Sequence, residues 1–315
     1  MRKGALQKLL LAACAAALAT GAHAAKVMTP DDDEDDLVPT GKGWGERAYP
    51  TPGYVTHGNN GNGNAGTKPA RNNNITYHGG PVILGTTNVY YIWYGNWAGN
   101  TATSILQDLA SSIGGTPYFG INTTYYNSAN QHVSNAVAFK GAVNDAYSQG
   151  TALSDTAIKT VVSNAITSGA LPRDTNAVYF VLTSKDVNAT SGFCTQYCGW
   201  HTHATIGSSD IKYAFVGNPD RCPSACAAQT VGPNGNAGAD GMASIISHEL
   251  EEAVTDPALN AWYDRSGAEN ADKCAWTFGT THTASNGAMY NVTFGARNFL
   301  IQRNWSASTQ ACGLQ

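Results

Sequence analysis

Six cysteines, Cys194, Cys198, Cys222, Cys226, Cys274 and Cys312, lie downstream of a leader that reads as an export signal. No other feature constrains the fold as strongly. The leader has three positive charges, Arg2, Lys3 and Lys8, then an apolar run from Leu9 to Ala19, then Ala22-His23-Ala24. That is the order of a secretory signal, so residues 1–24 are expected to be removed and the mature chain to be secreted, extracellular or periplasmic. The apolar run is too short to span a bilayer, and no integral membrane segment is expected. Leu11-Ala12-Ala13-Cys14 offers a rival lipoprotein cleavage box. An even cysteine count in an exported chain points to disulfides. The spacings Cys194-x-x-x-Cys198 and Cys222-x-x-x-Cys226 leave a zinc–thiolate site as the alternative, and spacing alone leaves the connectivity open.

Charged residues make up only 13% of the chain, against an ordinary share of about a quarter. A surface of neutral polar groups suits an extracellular protein. The net charge of -4 and the scattered lysines and arginines give nucleic acid nothing to bind. The stretch 25–74 holds the acidic block Asp31-Asp32-Asp33-Glu34-Asp35-Asp36 and the run His57-Gly58-Asn59-Asn60-Gly61-Asn62-Gly63-Asn64. Like charges repel and the apolar content is too small to bury, so it reads as a solvated linker, with a pro-segment or a calcium-binding acidic tail as alternatives.

A globular part is expected over 75–315. Val89 to Tyr94 is β-branched and aromatic and reads as a strand. Ser104 to Ile113 carries a helical stripe ended by Gly114-Gly115, and Ser154 or Asp155 caps a second helix through Ile166. Ala177 to Leu182 reads as a central strand, and Tyr213 to Val216 as another. Asp240 is expected to cap a helix reaching Thr255, ended by Pro257. Met289 to Phe294 and Phe299 to Gln302 suggest a final hairpin. With no internal repeat, the expectation is a single α+β, zincin-like domain with a central mixed sheet, a metal-binding helix and disulfides.

The chemistry concentrates in Ser247-His248-Glu249-Leu250-Glu251-Glu252-Ala253-Val254-Thr255-Asp256-Pro257. On a helix His248 and Glu252 stand one turn apart on one face, with Thr255 nearby, Met242, Ile245, Ile246 and Ala253 on the apolar side, and Glu251 facing water. Ligands at i and i+4 grip one metal, and a glutamate at i+1, Glu249, is placed to take a proton from the attacking water. This is the H-E-x-x-H pattern with a glutamate in the last place. The competing reading is a surface helix rich in glutamate. Glu269 is the first candidate for a third ligand, with Asp272 and Asp256 close behind. A site so rich in oxygen suits zinc but leaves calcium or manganese open. In Cys198-Gly199-Trp200-His201-Thr202-His203, two histidines on one face of a strand could complete the site. The alternative is two half-exposed histidines beside a disulfide-tied loop.

Several blocks resemble the phosphate-induced protein family, whose plant members include EXORDIUM. They are Tyr77-His78-Gly79-Gly80-Pro81 leading to Ile92-Trp93-Tyr94-Gly95, Phe193 to Gly199 with His201 beyond, Phe215-Val216-Gly217-Asn218 leading to Cys222-Pro223-Ser224-Ala225-Cys226, and Pro233-Asn234-Gly235 leading to Asp240-Gly241-Met242. The resemblance implies secretion. It also implies small residues in plant members at the places of His248 and Glu249, and a retained Cys-Gly-x-His segment, which favours His201 over His203. The block from Ser247 to Pro257, with Trp262 and Glu269-x-x-Asp272-x-Cys274, is also similar to secreted microbial metallohydrolases. The reading is therefore a secreted metal-dependent hydrolase acting on an extracellular peptide. His248, Glu252 and Glu269 hold zinc and Glu249 is the general base. The rival is a non-catalytic binder of a cell-wall polymer or glycan, with Trp97, Trp200 and Trp262 as stacking platforms. A glycosidase pair such as Asp264 and Glu269 is a weaker alternative, and no G-x-S-x-G elbow supports a serine nucleophile.

Overall fold

The computed structural model describes residues 39, 40, 42 and 73–315. The leader, Cys14, the acidic block and the Gly/Asn run lie outside the described residues. Two central strands are buried on both faces, β1 (Thr87–Tyr94) and β3 (Ala177–Thr183). Their near-continuous Val, Ile, Tyr and Phe content is what a strand covered on both sides requires. Between them in the chain come α1 (Ala102–Ser112), β2 (Val137–Asp145) and α2 (Asp155–Thr167). After β3 come β4 (Gly199–Ile206), β5 (Ser209–Val216) and the long helix α3 (Ala237–Thr255). The five strands form one sheet in the order β2-β1-β3-β5-β4. β1, β2, β3 and β5 run parallel, and β4 closes the edge antiparallel to β5. The sequence reading missed β2. It is an edge strand of alternating half-buried and exposed residues around Gly141, so its apolar signal is weak.

The step from β1 to β2 runs one way along the sheet and the step from β2 to β3 the other. Right-handed crossovers then place α1 and α2 on opposite faces. α3 packs against α1 and against β4, on the α1 side. Two caps differ in how well the sequence marked them. Ser154 caps α2 as expected, accepting from the Ala157 amide. Helix α3 starts four residues earlier than expected: Asn236 is its cap, accepting from the Ala239 amide. Asp240 sits instead in the first turn, taking hydrogen bonds from the Asn234 backbone and side chain.

The expected final hairpin is a run of short ones: His282–Thr283 with Met289–Tyr290, Val292–Phe294 with Arg297–Phe299, and Asn304–Ser306 with Ala311–Gly313. The whole is a mixed α/β architecture with a central mixed sheet. Three disulfides, Cys194–Cys222, Cys198–Cys226 and Cys274–Cys312, settle the connectivity. The first two are parallel rungs tying the start of β4 to the chain after β5. No helix among the described residues is long and apolar enough to cross a membrane. Part of the stretch read as a linker touches the domain. Pro39 is buried, and the Lys42 ammonium pairs with Asp155 and lies over the Tyr197 and Trp200 rings.

Candidate metal centre

Helix α3 is buried almost all round, because the sheet and α1 cover one side and the C-terminal segments the other. Glu251, expected to face water, is fully buried. Its carboxylate accepts from the Tyr118 hydroxyl, and burial pushes its pKa well up. The apolar side is as expected, with Met242, Ile245, Ile246 and Ala253 all in the core.

His248, Glu249 and Glu252 point from α3 into a buried cluster. His201 reaches it from edge strand β4, and Glu269 and Asp272 from the loop that follows α3. Gly199 lets β4 approach this closely. A Cβ there would lie 2.6 Å from Ile245 Cγ2 and 2.9 Å from Glu249 Oε1. The Nε2 atom of His248 lies 3.0 Å from Glu252 Oε1 and 3.5 Å from Asp272 Oδ1. The Nδ1 atom of His201 lies 3.4 Å from Glu252 Oε2 and 3.5 Å from Glu249 Oε2. On the other side of that ring, Nε2 faces the Asp256 carbonyl at 3.4 Å and Glu269 Oε1 at 3.6 Å. Two sets of ligand atoms, His248/Glu252/Asp272 and His201/Glu249/Glu252, each fit within 4.8 Å.

Burial alone would lower the His201 pKa, but Glu269, Glu249 and Glu252 override it and hold it well above its ordinary value. Burial would raise Glu252, yet the two imidazoles bring it down to about 2. Burial dominates elsewhere, lifting Glu269 well above its usual range, Asp272 above it, and Asp256 to about 6. Two imidazoles thus face five buried carboxylates, a charge balance that calls for bound protons or a cation.

Of the candidate residues, His248, Glu249, Glu252, His201 and Asp272 come together as ligand atoms. Glu269 joins the cluster against His201 but stands outside both sets. Asp256 is mainly a turn-former, its Oδ1 accepting from the Asn260 and Ala261 amides. His203 is only half-buried and pairs with Asp210. Asp264 is held by Ser266, Ala268, Asn73 and Lys273 rather than facing Glu269 as a glycosidase pair. Trp97, Trp200 and Trp262 are all core residues, so none is a free stacking platform. A surface groove of about 620 Å³, lined by Tyr77, Tyr126, His132, Trp262, Thr123 and Gln310 among others, had no counterpart in the sequence reading. Its walls come from four separate chain segments.

The conserved region of phosphate-induced protein 1 matches residues 75–315. Protein EXORDIUM-like 3 of Arabidopsis thaliana is 32% identical over 278 residues, 76% of this chain and 82% of its own length. Protein EXORDIUM of the same plant is 26% identical over 285 residues, covering 76% and 88%. Protein PHOSPHATE-INDUCED 1 of Nicotiana tabacum is 25% identical over 280 residues, covering 76% and 87%. No solved structure matches the chain. A match over the whole described domain, with relatives aligned over most of their length, makes this chain a member of the phosphate-induced protein 1 (EXORDIUM) family.

Proposed function

We propose that this protein is an exported metal-dependent hydrolase, with a divalent ion, zinc for preference, held by His248, Glu252 and Asp272. Asp272 takes the place first given to Glu269. The observation that carries the reading is the spacing of the donor atoms. In that set His248 Nε2 stands 3.5 Å from Asp272 Oδ1, too long for a good hydrogen bond, and 3.0 Å from Glu252 Oε1, an ordinary ion-pair contact. The longer separation, like the 3.4 and 3.5 Å from His201 Nδ1 to Glu252 and Glu249, matches the ligand–ligand edges, about 3.3–3.6 Å, of a tetrahedron whose ligands stand at zinc distances. His201 Nδ1, Glu252 Oε2 and Glu269 Oε1 are buried without a hydrogen-bond partner among the described residues, as ligands awaiting an ion would be. An antiparallel edge strand beside a helix bearing H-E-x-x-E also supports the zincin-like reading.

A bound ion supplies Lewis acidity to a scissile carbonyl. The chain supplies the rest. Glu249, one residue after His248, takes the proton from the attacking water, and His201 orients its carboxylate. The surrounding core keeps bulk water away and strengthens each of these contacts. Glu249 and His201 are each only 1% exposed, so a peptide reaches the centre only when the cover over α3 opens. The experiment is elemental analysis and a peptidase screen of the mature protein beside Glu249→Gln. A metal-bearing but inactive variant is expected. Full activity in Glu249→Gln removes the assignment of Glu249, and a metal-free wild type removes the centre.

The groove favours a second reading, a binder of neutral glycans in which an ion is structural. Tyr77 and Tyr126, both half-buried, lie 6.0 Å apart between ring centroids, with Thr123, Thr124, Ser308 and Gln310 around them and no carboxylate, lysine or arginine in the lining. Aromatic faces with hydroxyl and amide neighbours suit uncharged sugars. Retention on a neutral polysaccharide that Tyr77→Ala and Tyr126→Ala abolish, without any hydrolysis, would favour it.

A further inference from the structure

The two oxygens of Glu252 serve different imidazoles. Oε1 lies 3.0 Å from His248 Nε2, the nitrogen that also faces Asp272 Oδ1. Oε2 lies 3.4 Å from His201 Nδ1, the nitrogen that also faces Glu249 Oε2. We propose that the centre holds two divalent cations bridged by Glu252, the first on His248 and Asp272 and the second on His201 and Glu249. The proposal rests on the metal-centre reading above and extends it from one ion to two.

Three observations carry it. First, the two ligand sets share only Glu252, and each offers one imidazole nitrogen and two carboxylate oxygens within 4.8 Å. A single ion would fill one set and leave the imidazole of the other beside two carboxylates at 3.0–3.5 Å. Second, His201 Nδ1 and Glu252 Oε2 are fully buried and have no hydrogen-bond partner among the described residues. On its far side, His201 Nε2 faces the Asp256 carbonyl and Glu269 Oε1, both acceptors. With the ring proton on Nε2 facing those acceptors, an ion takes the place of the second proton that Nδ1 would otherwise carry between Glu249 and Glu252. An Nε2 proton facing such acceptors is the second-sphere pattern that orients a ligating histidine. Third, the charges favour it, two dications neutralising what bound protons would otherwise have to. Five carboxylates, Glu249, Glu252, Asp256, Glu269 and Asp272, are buried around two imidazoles. With neutral imidazoles one dication leaves three negative charges in the core, and two leave a single one. Carboxylate-bridged pairs stand about 3.5–4 Å apart, which two separate oxygens of one glutamate can span. Glu249 then ligates through Oε2 and keeps Oε1 for the proton.

The test uses Mn2+ on the full mature protein after chelator stripping and dialysis, counting bound ions by electron paramagnetic resonance. Wild type is expected to take up two ions per chain, with the signal of the first broadened as the second enters beside it. His201→Ala and His248→Ala are each expected to bind one, and circular dichroism reports whether each variant folds. The wild-type count stands without the variants. One ion at saturation overturns the two-ion proposal and keeps the metal reading, as does a His201→Ala protein that still binds two. No ion in folded wild type overturns both.

Discussion

The ring of His201 shows how much can depend on one side chain. It sits between acceptors on Nε2 and carboxylates on Nδ1, in the core, so its environment is tolerable only with a proton or an ion on Nδ1. A second residue worth isolating is Asp264. It accepts from Ser266, Ala268 and Asn73 and pairs with Lys273 at 2.9 Å, with its side chain 1% exposed. Burial alone would raise its pKa, but the Ser266 hydrogen bonds and the Lys273 ammonium hold it below the ordinary value. A depressed carboxylate stabilises the fold above its unfolded value, near pH 4, and that contribution fades as pH falls through the lower folded value. Asp264→Asn is expected to cost about 1–3 kcal/mol at neutral pH and to lose less than wild type on acidification. Urea titrations at pH 7 and pH 3 check both. At this scale the sequence showed His248, Glu249, Glu252 and Asp272 because an i, i+4 pair and a nearby acid are local patterns. It misplaced Glu251, since the segments covering that side of α3 lie far along the chain.

Among the elements, β4 and α3 depend on one another, and Gly199 sets their distance. Gly199→Ala is expected to force β4 off α3, costing about 1–3 kcal/mol by overpacking and weakening metal binding together with stability. Thermal melts and a competitive zinc titration read the two effects, and unchanged metal affinity would count against β4 carrying a ligand. The Cys198–Cys226 bridge ends one residue before β4 and fixes the same strand. Replacing both cysteines by serine is expected to cost about 2–5 kcal/mol, seen as an earlier midpoint in denaturant. Asn236 caps α3 and its side chain also donates to Asn100 and Thr101, so Asn236→Ala is expected to cost about 1 kcal/mol or somewhat more. The strands β1, β3 and β5 and helices α1 and α2 were legible because their burial leaves continuous apolar runs or a 3.6-residue stripe. β2 was not, because an edge strand needs little apolar content.

For the whole molecule, an ion held as proposed in the acid-rich centre would make stability depend on metal. An ion present at a thousandfold excess over its dissociation constant adds about 4 kcal/mol to the folded state. In a domain of this size that is roughly 8–16 °C, so chelation is expected to lower the melting temperature by about that much, restored by zinc. An unchanged melt with and without chelator would mean the centre holds no ion. Sequence alone determined the export leader as an expectation, the disulfide chemistry, the family blocks, the main strands and the H-E-x-x-E helix. These all depend on residue type and short-range spacing. Only the tertiary structure decided which cysteines pair, how His201, already favoured over His203 by the family blocks, reaches the helix, that Asp272 rather than Glu269 stands with His248 and Glu252, and that the groups of this centre are buried. Each of those outcomes follows from how distant segments pack, and packing of distant segments leaves no periodic trace in the chain.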